Sequence, residues 1–176
     1  MSSGRIMNLT IVLALAGSSS VAAPVSVGTG VNWAEVYIEW SDGFIGEFEV
    51  CFGQSSSDTV TGADLLLTLD SELTDFTLAY TNWGTVEEPD LFVDSIQYLG
   101  HYSGGYGGGE DWWHYWIRDW GDTGWTSPLY GVSSRVVGDG DMDGWIYGRG
   151  GAPVPEPATV VLLAGGVILL RRRRYG

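Results

Sequence analysis

The sequence predicts an α+β domain, mostly β, that is followed by a C-terminal transmembrane helix. Three features lead to this prediction: two neighbouring stretches that alternate apolar and polar residues, one stretch with leucines at helical spacing, and an apolar run near the C-terminus that ends in four arginines. Alternation with a period of two is typical of half-buried strands, and a period of about 3.6 is typical of helices. The 176 residues are enough for one domain with a targeting segment at each end.

The first two predicted strands form a β-hairpin. Apolar and polar residues alternate from Val31 to Trp40 and again from Phe44 to Phe52. Between them, Ser41-Asp42-Gly43 has the composition of a turn. Alternate side chains of a strand point to opposite faces of a sheet, so the glutamates and Tyr37 should face outward. We expect the apolar set to face the core, namely Ala34, Val36, Ile38, Trp40, Phe44, Phe48, Val50 and Phe52.

One helix is predicted after the hairpin, from about Gly62 to Leu73. Thr61 is a typical N-cap residue, and Asp64 follows it at the spacing of a capping box. The next leucines recur at helical spacing and define an apolar face, made of Leu65, Leu66, Leu69 and Leu73. The order of hairpin, helix and further strands, with one helix covering one sheet, predicts an α+β arrangement of β-grasp type.

Further strands are expected in the second half of the domain, at residues 74–80, 91–98, 111–120 and 144–147. Residues 100–109 are rich in glycine and tyrosine, which favours a flexible loop. In 111–120, a strand would place Trp113, Tyr115 and Ile117 on one face. A helix is the alternative, because three tryptophans of the other face recur every four residues. The flanking glycines and the aromatic content favour the strand.

Residues 1–23 have the features of a secretory signal peptide. Arg5 supplies a positive charge, Leu9 to Ala16 is apolar, and small residues precede the domain. Both Ser20-Val21-Ala22 and Val21-Ala22-Ala23 suit a signal peptidase, and we expect cleavage after Ala22 because Pro24 disfavours the later position. The chain then divides into the signal peptide (1–23), an extracellular domain (24–151) and a C-terminal segment (152–176).

The C-terminal segment has the composition of a membrane helix with a basic stop. Ala158 to Leu170 carries no charge and, as a helix, would be about 20 Å long. Arginine side chains can snorkel and so extend this span toward the hydrocarbon thickness of roughly 30 Å. The positive-inside rule keeps Arg171, Arg172, Arg173 and Arg174 in the cytoplasm and places the domain outside. A buried helix of a soluble domain is the alternative, but it would have no use for four terminal arginines.

In this segment Val154, Pro155, Glu156 and Pro157 precede the apolar run and the arginine block. The Pro-Glu-Pro motif, the apolar run and the arginine block follow one another in this order. Together they resemble the PEP-CTERM sorting domain of Gram-negative bacteria that produce exopolysaccharide. The resemblance covers about Val154 to Arg174. It implies export by the secretion machinery, an inner-membrane intermediate, and recognition near the Pro-Glu-Pro motif by an exosortase. The mature protein is then expected at the cell surface or in the extracellular matrix.

The region between the two targeting segments is strongly acidic. From Glu35 to Glu156 the chain contains no lysine and three arginines against 22 acidic residues, a net charge of −19. This charge excludes nucleic acid as a partner of the domain and favours cations, although acidity also keeps an extracellular domain soluble. Cys51 is the one cysteine, so no internal disulfide can form.

A second resemblance covers roughly Val60 to Gly148. The capped leucine helix, Phe92-Val93-Asp94-Ser95-Ile96, Trp113-His114-Tyr115-Trp116, and the Asp139-Gly140-Asp141 turn before Trp145 are similar to the transcobalamin C-terminal-like domain of bacterial surface proteins. This resemblance implies ligand display or binding outside the cell and no catalysis. It assigns no individual residue to a site.

A candidate calcium site lies in the segment 139–144. Asp139, Asp141 and Asp143 occupy positions one, three and five of an EF-hand-type loop, and Gly144 occupies position six. Position twelve is Gly150 instead of the expected glutamate, and the flanking helices are absent from the pattern. The alternative is an acidic turn between two strands, without any cofactor.

A candidate sugar platform is formed by Trp112, Trp116 and Trp120. Aromatic faces in a row, flanked by acids, suit carbohydrate such as exopolysaccharide. The alternative is a sheet that is packed on both faces, because large exposed apolar patches are uncommon without a partner.

The sequence shows no motif of a catalytic site. It lacks a nucleophile elbow, a phosphate loop and a dinucleotide fingerprint, and His101 and His114 match no metal-ligand spacing. Paired carboxylates for glycan hydrolysis are numerous but none is singled out. We therefore expect a non-catalytic exported protein, with a carbohydrate- or calcium-binding module as the first alternative and a glycan-acting enzyme as the second.

Overall fold

A computed structural model describes residues 24–53, 55, 58–85, 89–105 and 111–154, and this part of the chain is mostly β. Its elements are, in chain order, β1 (Val25–Gly28), β2 (Asn32–Glu39), β3 (Ile45–Phe52), β4 (Val60–Thr61), α1 (Gly62–Glu72), β5 (Phe76–Asn82), β6 (Leu91–Tyr98), β7 (His101–Gly104), β8 (Trp113–Arg118), a 3-10 turn (Val132–Ser134), β9 (Val136–Val137) and β10 (Met142–Tyr147). The predicted α+β class, mostly β with one helix in the described part, is therefore confirmed.

The strands form two main sheets. The larger sheet has the order β1-β3-β2-β10-β8, in which β10 runs parallel to β2 and antiparallel to β8. The smaller sheet, β5-β6-β7, is antiparallel throughout. The two-residue strands β4 and β9 pair with each other at the start of the helix. As a result, the last strand of the domain is an interior strand of the larger sheet, between β2 and β8.

The predicted hairpin is confirmed, and it supplies one face of the core. β2 pairs antiparallel with β3, and the register places Val36 opposite Phe48. These side chains and Ile38 are almost completely buried, as the alternating pattern predicts. Trp40, at the end of β2, donates its indole N–H to the carbonyl of Ile96 at 3.0 Å and so joins the two sheets.

The predicted helix is also confirmed, within one residue at its end. Thr61 Oγ1 accepts the backbone N–H of Asp64 at 3.3 Å, and the Asp64 carboxylate accepts the backbone N–H of Thr61 at 2.8 Å. These reciprocal bonds form a capping box and fix where the helix begins. The buried leucines 65, 66 and 69 then face the hydrophobic core.

The prediction of a flexible loop at 100–109 is wrong for its first residues. His101–Gly104 forms β7 and pairs with β6 across a tight turn, in which Leu99 and Gly100 both have positive φ. A Cβ on Gly104 would lie 2.2 Å from Ser95 Cβ, so the glycine here serves close strand packing. Glycine content alone therefore misled the assignment.

The second face of the larger sheet is partly covered as well. Tyr37, which we expected to face outward, is buried on this face, and so is Ile146 of β10. A Cβ on Gly144, on the same face, would lie 2.5 Å from Pro153 and 3.1 Å from Trp125. The loop after β8 and the segment after β10 thus cover the centre of the sheet from outside.

The proposed targeting segments lie outside the described residues. These are the signal peptide at 1–23 and, after Val154, the motif and apolar run of the tail. Among the residues that the structure does describe, no helix is long and apolar enough to span a membrane.

Candidate ligand cleft

An aromatic cleft lies between the edge strand β8, the start of β6 and the loop 127–132. Its volume is about 290 Å³. Six aromatic side chains contribute to its lining: Phe92, Trp112, Trp113, Tyr115, Tyr130 and Trp145. We refer to this cavity as the aromatic cleft.

The strand register explains why the cleft lies at the edge of β8. Ile117 exchanges two backbone hydrogen bonds of 2.8 Å with Thr126, on the side of β8 that faces away from β10. Alternate residues of a strand direct their backbone groups to the same edge, so Tyr115 and Trp113 also direct theirs to this side. The edge is thus paired near Ile117 and opens into the cleft beyond it.

The floor of the cleft consists of stacked rings. Tyr115 and Trp145 lie opposite each other in the β8–β10 register, and their ring centroids are 4.6 Å apart with planes inclined at 27°. Trp113 packs edge-on against Trp40 of the core, with ring centroids 6.4 Å apart. The floor is therefore fixed from below by the core and from the side by the neighbouring strand β10.

Two indoles of the lining have unpaired ring N–H groups. Trp113 Nε1 and Trp145 Nε1 are buried and have no hydrogen-bond partner among the described residues. Their side chains are only 9% and 4% exposed. An indole N–H is a donor only, and a buried donor without an acceptor is costly and uncommon. These two indole N–H donors therefore lie buried without an acceptor among the described protein groups.

The rim of the cleft exposes aromatic surface. Trp112 is 39% exposed and Tyr130 is 46% exposed. Phe92 is stacked by Trp83, with centroids 5.2 Å apart, and the Trp83 ring is itself largely exposed. A ligand in the cleft would consequently meet partly exposed aromatic side chains at the entrance.

A buried charged network supports the floor. The Tyr115 hydroxyl donates to Asp143 Oδ2 at 2.7 Å, and Asp143 is only 1% exposed. Arg135 lies beside this carboxylate, with Nε 3.6 Å from Asp143 Oδ1. The same guanidinium, through Nη2, contacts Asp141 at 2.8 Å and Asp119 at 2.7 Å. One buried arginine thus compensates three carboxylates, two of them buried.

Burial and mutual contact shift the pKa values in this network. Burial raises the pKa of Asp143 to about 6, although the Tyr115 hydroxyl and Arg135 oppose the increase. Burial and then the Asp143 charge raise the pKa of the Tyr115 phenol. Burial alone would lower the pKa of Arg135, but its bond to Asp119 and the neighbouring carboxylates raise it. At neutral pH the guanidinium is charged and Tyr115 remains a hydroxyl donor.

The start of the helix completes the network. A Cβ on Gly62 would lie 2.5 Å from Asp143 Oδ2 and 2.7 Å from Tyr115 Oη, so only glycine fits at this position. The Gly62 N–H donates to the carbonyl of Arg135 at 3.0 Å. Because a helix N-terminus carries a partial positive charge, it stabilises the nearby Asp143 carboxylate.

The structure separates the three predicted platform tryptophans. Trp112 lies at the aromatic cleft. Trp116, on the opposite face of β8 from Tyr115, is half-buried, with a buried indole N–H. Trp120 is 71% exposed and packs edge-on against Trp33, with ring centroids 5.9 Å apart. We therefore keep Trp112 as a candidate ligand contact and do not treat the three rings as one row.

The three predicted calcium ligands have protein partners in the described structure. Asp139 Oδ1 accepts the backbone N–H of Trp33 at 3.0 Å. Asp141 accepts bonds from Trp120, Gly138 and Arg135, and Asp143 lies in the buried network described above. Within the described part of the chain, no three His, Cys, Asp or Glu side chains come together as a metal site. Calcium binding stays a prediction without support from this geometry.

The histidines occupy separate structural positions. His101 Nδ1 lies 2.6 Å from Asp42 Oδ2 and its ring stacks on Phe44, which joins the β6–β7 turn to the hairpin turn. The hydrogen bond from His101 lowers the pKa of Asp42. His114 lies on β8 beside Trp112.

Of the predicted sorting residues, Val154 is described and is exposed. Pro155, Glu156, Pro157 and Arg171 to Arg174 lie outside the described residues.

Sequence reasoning missed the residues that build the cleft and its support. Trp145 and Tyr130 are distant in sequence from β8, and no local pattern joins them to it. Arg135 had one usable signal, because it is one of three arginines in a domain with no lysine and many acids. A cation so rare in such a sequence is a candidate for a buried ion pair.

Comparisons with protein-family models, with curated proteins and with solved structures find no match to this chain. The functional argument therefore rests on the residues and geometry of the chain itself.

Proposed function

We propose that this chain is an exported, non-enzymatic bacterial surface protein that an exosortase sorts through its PEP-CTERM-like tail. The proposal rests on the Pro155-Glu156-Pro157 motif, the uncharged run after it and the arginine block, together with the signal-peptide features at 1–23. It assigns the tail to the membrane during transit and the acidic domain to the cell surface or matrix.

The observation that best supports the proposal is the position of the motif relative to the domain. After β10, the chain crosses the outer face of the larger sheet, and Pro153 is buried against Gly144. Val154, directly before the motif, is 59% exposed. The described part of the chain therefore reaches the protein surface directly before the motif, which agrees with recognition of the motif by a protease.

A β-grasp arrangement is part of the same proposal. The central order β3-β2-β10-β8, with β10 parallel to β2 and a helix after the hairpin, is compatible with it. Strand β1 and the sheet β5-β6-β7 would then be additions to the β-grasp core. A transcobalamin-like ligand-binding role outside the cell agrees with this arrangement.

A non-enzymatic role agrees with the electrostatics of the described domain. Asp143 has a carboxyl group with a strongly raised pKa. A raised carboxyl pKa is a frequent property of catalytic acids. Its 1% exposure and its contacts with Tyr115 and Arg135 keep it away from any ligand. We therefore assign Asp143 to the support of the cleft.

Carbohydrate binding is the second candidate function. It is favoured by the exposed aromatic rim of the cleft, in which Trp112 and Tyr130 present ring surface to solvent. Clefts lined by aromatic side chains with a few polar groups are typical ligand sites. Exopolysaccharide is the partner that an exported matrix protein would meet.

The sorting proposal is tested by replacing Pro155, Glu156 and Pro157 with alanines in the native host. We expect the variant to keep its tail and to accumulate in the membrane, because the exosortase would no longer recognise it. Immunoblots of membrane, surface and medium fractions measure this. The matched control replaces Glu87, Glu88 and Pro89, the same residue types within the domain. Normal processing and delivery of the motif variant would contradict the proposal.

A further inference from the structure

We propose that the aromatic cleft binds one uncharged sugar residue of an extracellular glycan. The inference rests on the proposed surface location and on the carbohydrate-binding candidate, and it specifies the site and the class of sugar. Three properties of the cleft lead to it: its size, its aromatic surface, and the absence of an arginine or lysine among the described residues that line it.

The size of the cleft selects a small ligand. Its volume of about 290 Å³ lies just below the usual range for ligand pockets, about 300–1,000 Å³. The loop 127–132 closes one side and the start of β6 closes another. This space suits a single pyranose ring and not a longer segment of chain buried along its length.

The aromatic surface selects a ligand with a flat apolar face. Tyr115 and Trp145 stack at the floor, and Trp112 and Tyr130 are partly exposed at the rim. A pyranose ring presents C–H groups on its faces and oxygens around its edge. Such an amphipathic ring can cover indole and phenol faces while its hydroxyls remain free for hydrogen bonds.

The charge distribution selects an uncharged sugar. No lysine exists in the chain, and each arginine of the described residues is engaged elsewhere: Arg118 with Met142 and Trp125, Arg135 in the buried network, Arg149 with Glu39. The Asp90 carboxylate lies beside the cleft, where its Oδ1 would be 3.4 Å from a Cβ added to Gly131. A uronate or a phosphate would find negative potential and no cation to compensate it.

An extended peptide added to the edge of β8 is the main competitor. Main-chain pairing along an open strand is a common mode of peptide recognition. Here the edge is already paired at Ile117 by Thr126, and the loop 127–132 closes the cleft next to Tyr115. Only a short stretch of edge remains, which favours a compact ring as the occupant.

The test measures binding of an uncharged glucan oligosaccharide and of an oligouronate of equal length. The full chain is used, purified in a detergent without a sugar headgroup, and titrations follow heat and tryptophan fluorescence. We expect the glucan to bind and Trp112→Ala to weaken that binding about tenfold or more, because one stacked face is lost. Trp112→Tyr should retain most of it. Trp120→Ala, an exposed tryptophan that does not line the cleft, is the matched control.

Each alternative outcome contradicts a specific part of the proposal. If only Trp120→Ala weakens binding, carbohydrate binding stands but the cleft is the wrong site. Preference for the oligouronate contradicts the uncharged class, and displacement by an extended peptide would assign the edge of β8 to peptide. If no glycan binds, the inference fails, whereas the sorting proposal is judged separately by the processing of the tail.

Discussion

At the residue scale, Arg135 determines whether the buried acidic network that supports the floor of the cleft can exist. Its guanidinium contacts Asp119 and Asp141 and lies beside Asp143, and its side chain is 7% exposed. Taking several charges out of water costs free energy, which their attraction offsets only while every partner remains. The network therefore makes the fold sensitive to the loss of a single member.

Arg135→Met should destabilise the domain by about 3–5 kcal/mol, because it leaves two carboxylates buried without a cation. Urea denaturation at neutral pH measures the change in the free energy of unfolding. Arg149→Met is the matched control. It breaks an ion pair of 2.6 Å with Glu39, but the Arg149 side chain is 51% exposed, so the expected cost is about 1 kcal/mol or less. Equal costs for the two variants would contradict the role of Arg135.

The pKa of Asp143 predicts a pH dependence of stability. Because its pKa is raised from the usual 3.8 to about 6, the folded state binds this proton more tightly than the unfolded chain. The stabilisation is complete below about pH 4 and is lost as the pH rises through 6, with a magnitude of about 3 kcal/mol. Stability of the wild type relative to Asp143→Asn should thus increase from pH 7 to pH 4. A constant difference between the two proteins over this range would refute the assignment.

At the element scale, the helix is connected to the cleft through its first residue. Gly62 allows the helix to begin directly against Asp143 and Tyr115, while the Thr61–Asp64 capping box fixes its first turn. The helix therefore contributes to the core through its leucines and to the site through its N-terminus.

Gly62→Ala should destabilise the domain, although the same change in a helix usually stabilises it by up to about 1 kcal/mol. The new methyl would lie 2.5 Å from a buried carboxylate oxygen, and overpacking of this kind costs about 1–3 kcal/mol. Thermal unfolding compared with Gly124→Ala provides the test. A Cβ at Gly124 meets nothing within 4 Å, so that variant should behave like the wild type. Stabilisation by Gly62→Ala would contradict the described contact.

Local elements could be predicted from the sequence because local residues determine them. The hairpin follows from alternation around Ser41-Asp42-Gly43, and the helix follows from Thr61, Asp64 and the leucines. β7 could not be predicted, because Gly104 is required by its distant neighbour Ser95 and not by a loop. The local sequence pattern indicates which secondary structure a segment favours, but it does not indicate which residues pack against that segment.

The candidate site was less accessible to sequence reasoning for the same reason. Of the predicted platform, Trp112 lies at the cleft, and its role as a ligand contact stays a prediction. Its partner Trp145 arrives through the pairing of β10 between β2 and β8, and Tyr130 arrives with the loop 127–132. Nothing in the local pattern predicts which strand pairs between β2 and β8, so the cleft emerges only with the topology.

At the scale of the whole molecule, the excess of acid dominates the electrostatics. The stretch from Glu35 to Glu156 carries a net charge of −19, and two of its three arginines, Arg135 and Arg149, form ion pairs with acidic residues. Self-repulsion of this size destabilises a compact state, although it favours solubility. The domain is therefore suited to a solvent that contains screening ions.

Raising the NaCl concentration from about 10 mM to about 150 mM should stabilise the protein, because the screening length falls from about 30 Å to about 8 Å. The midpoint of urea unfolding measures this effect. A variant in which the exposed Glu72 and Asp75 become Gln and Asn should respond less to salt. If salt lowers the midpoint, attractive ion pairs and not repulsion dominate the fold.

Export and processing form the central claim, and the mass of the mature protein tests it most directly. The protein is isolated from the surface and the medium of its host, and intact-mass and terminal-peptide spectra are recorded. We predict a chain that has lost residues 1–22 and that ends at or near Pro155-Glu156-Pro157, without the arginine block. A protein found inside the cell that retains both Met1 and Arg171 to Arg174 would contradict the claim.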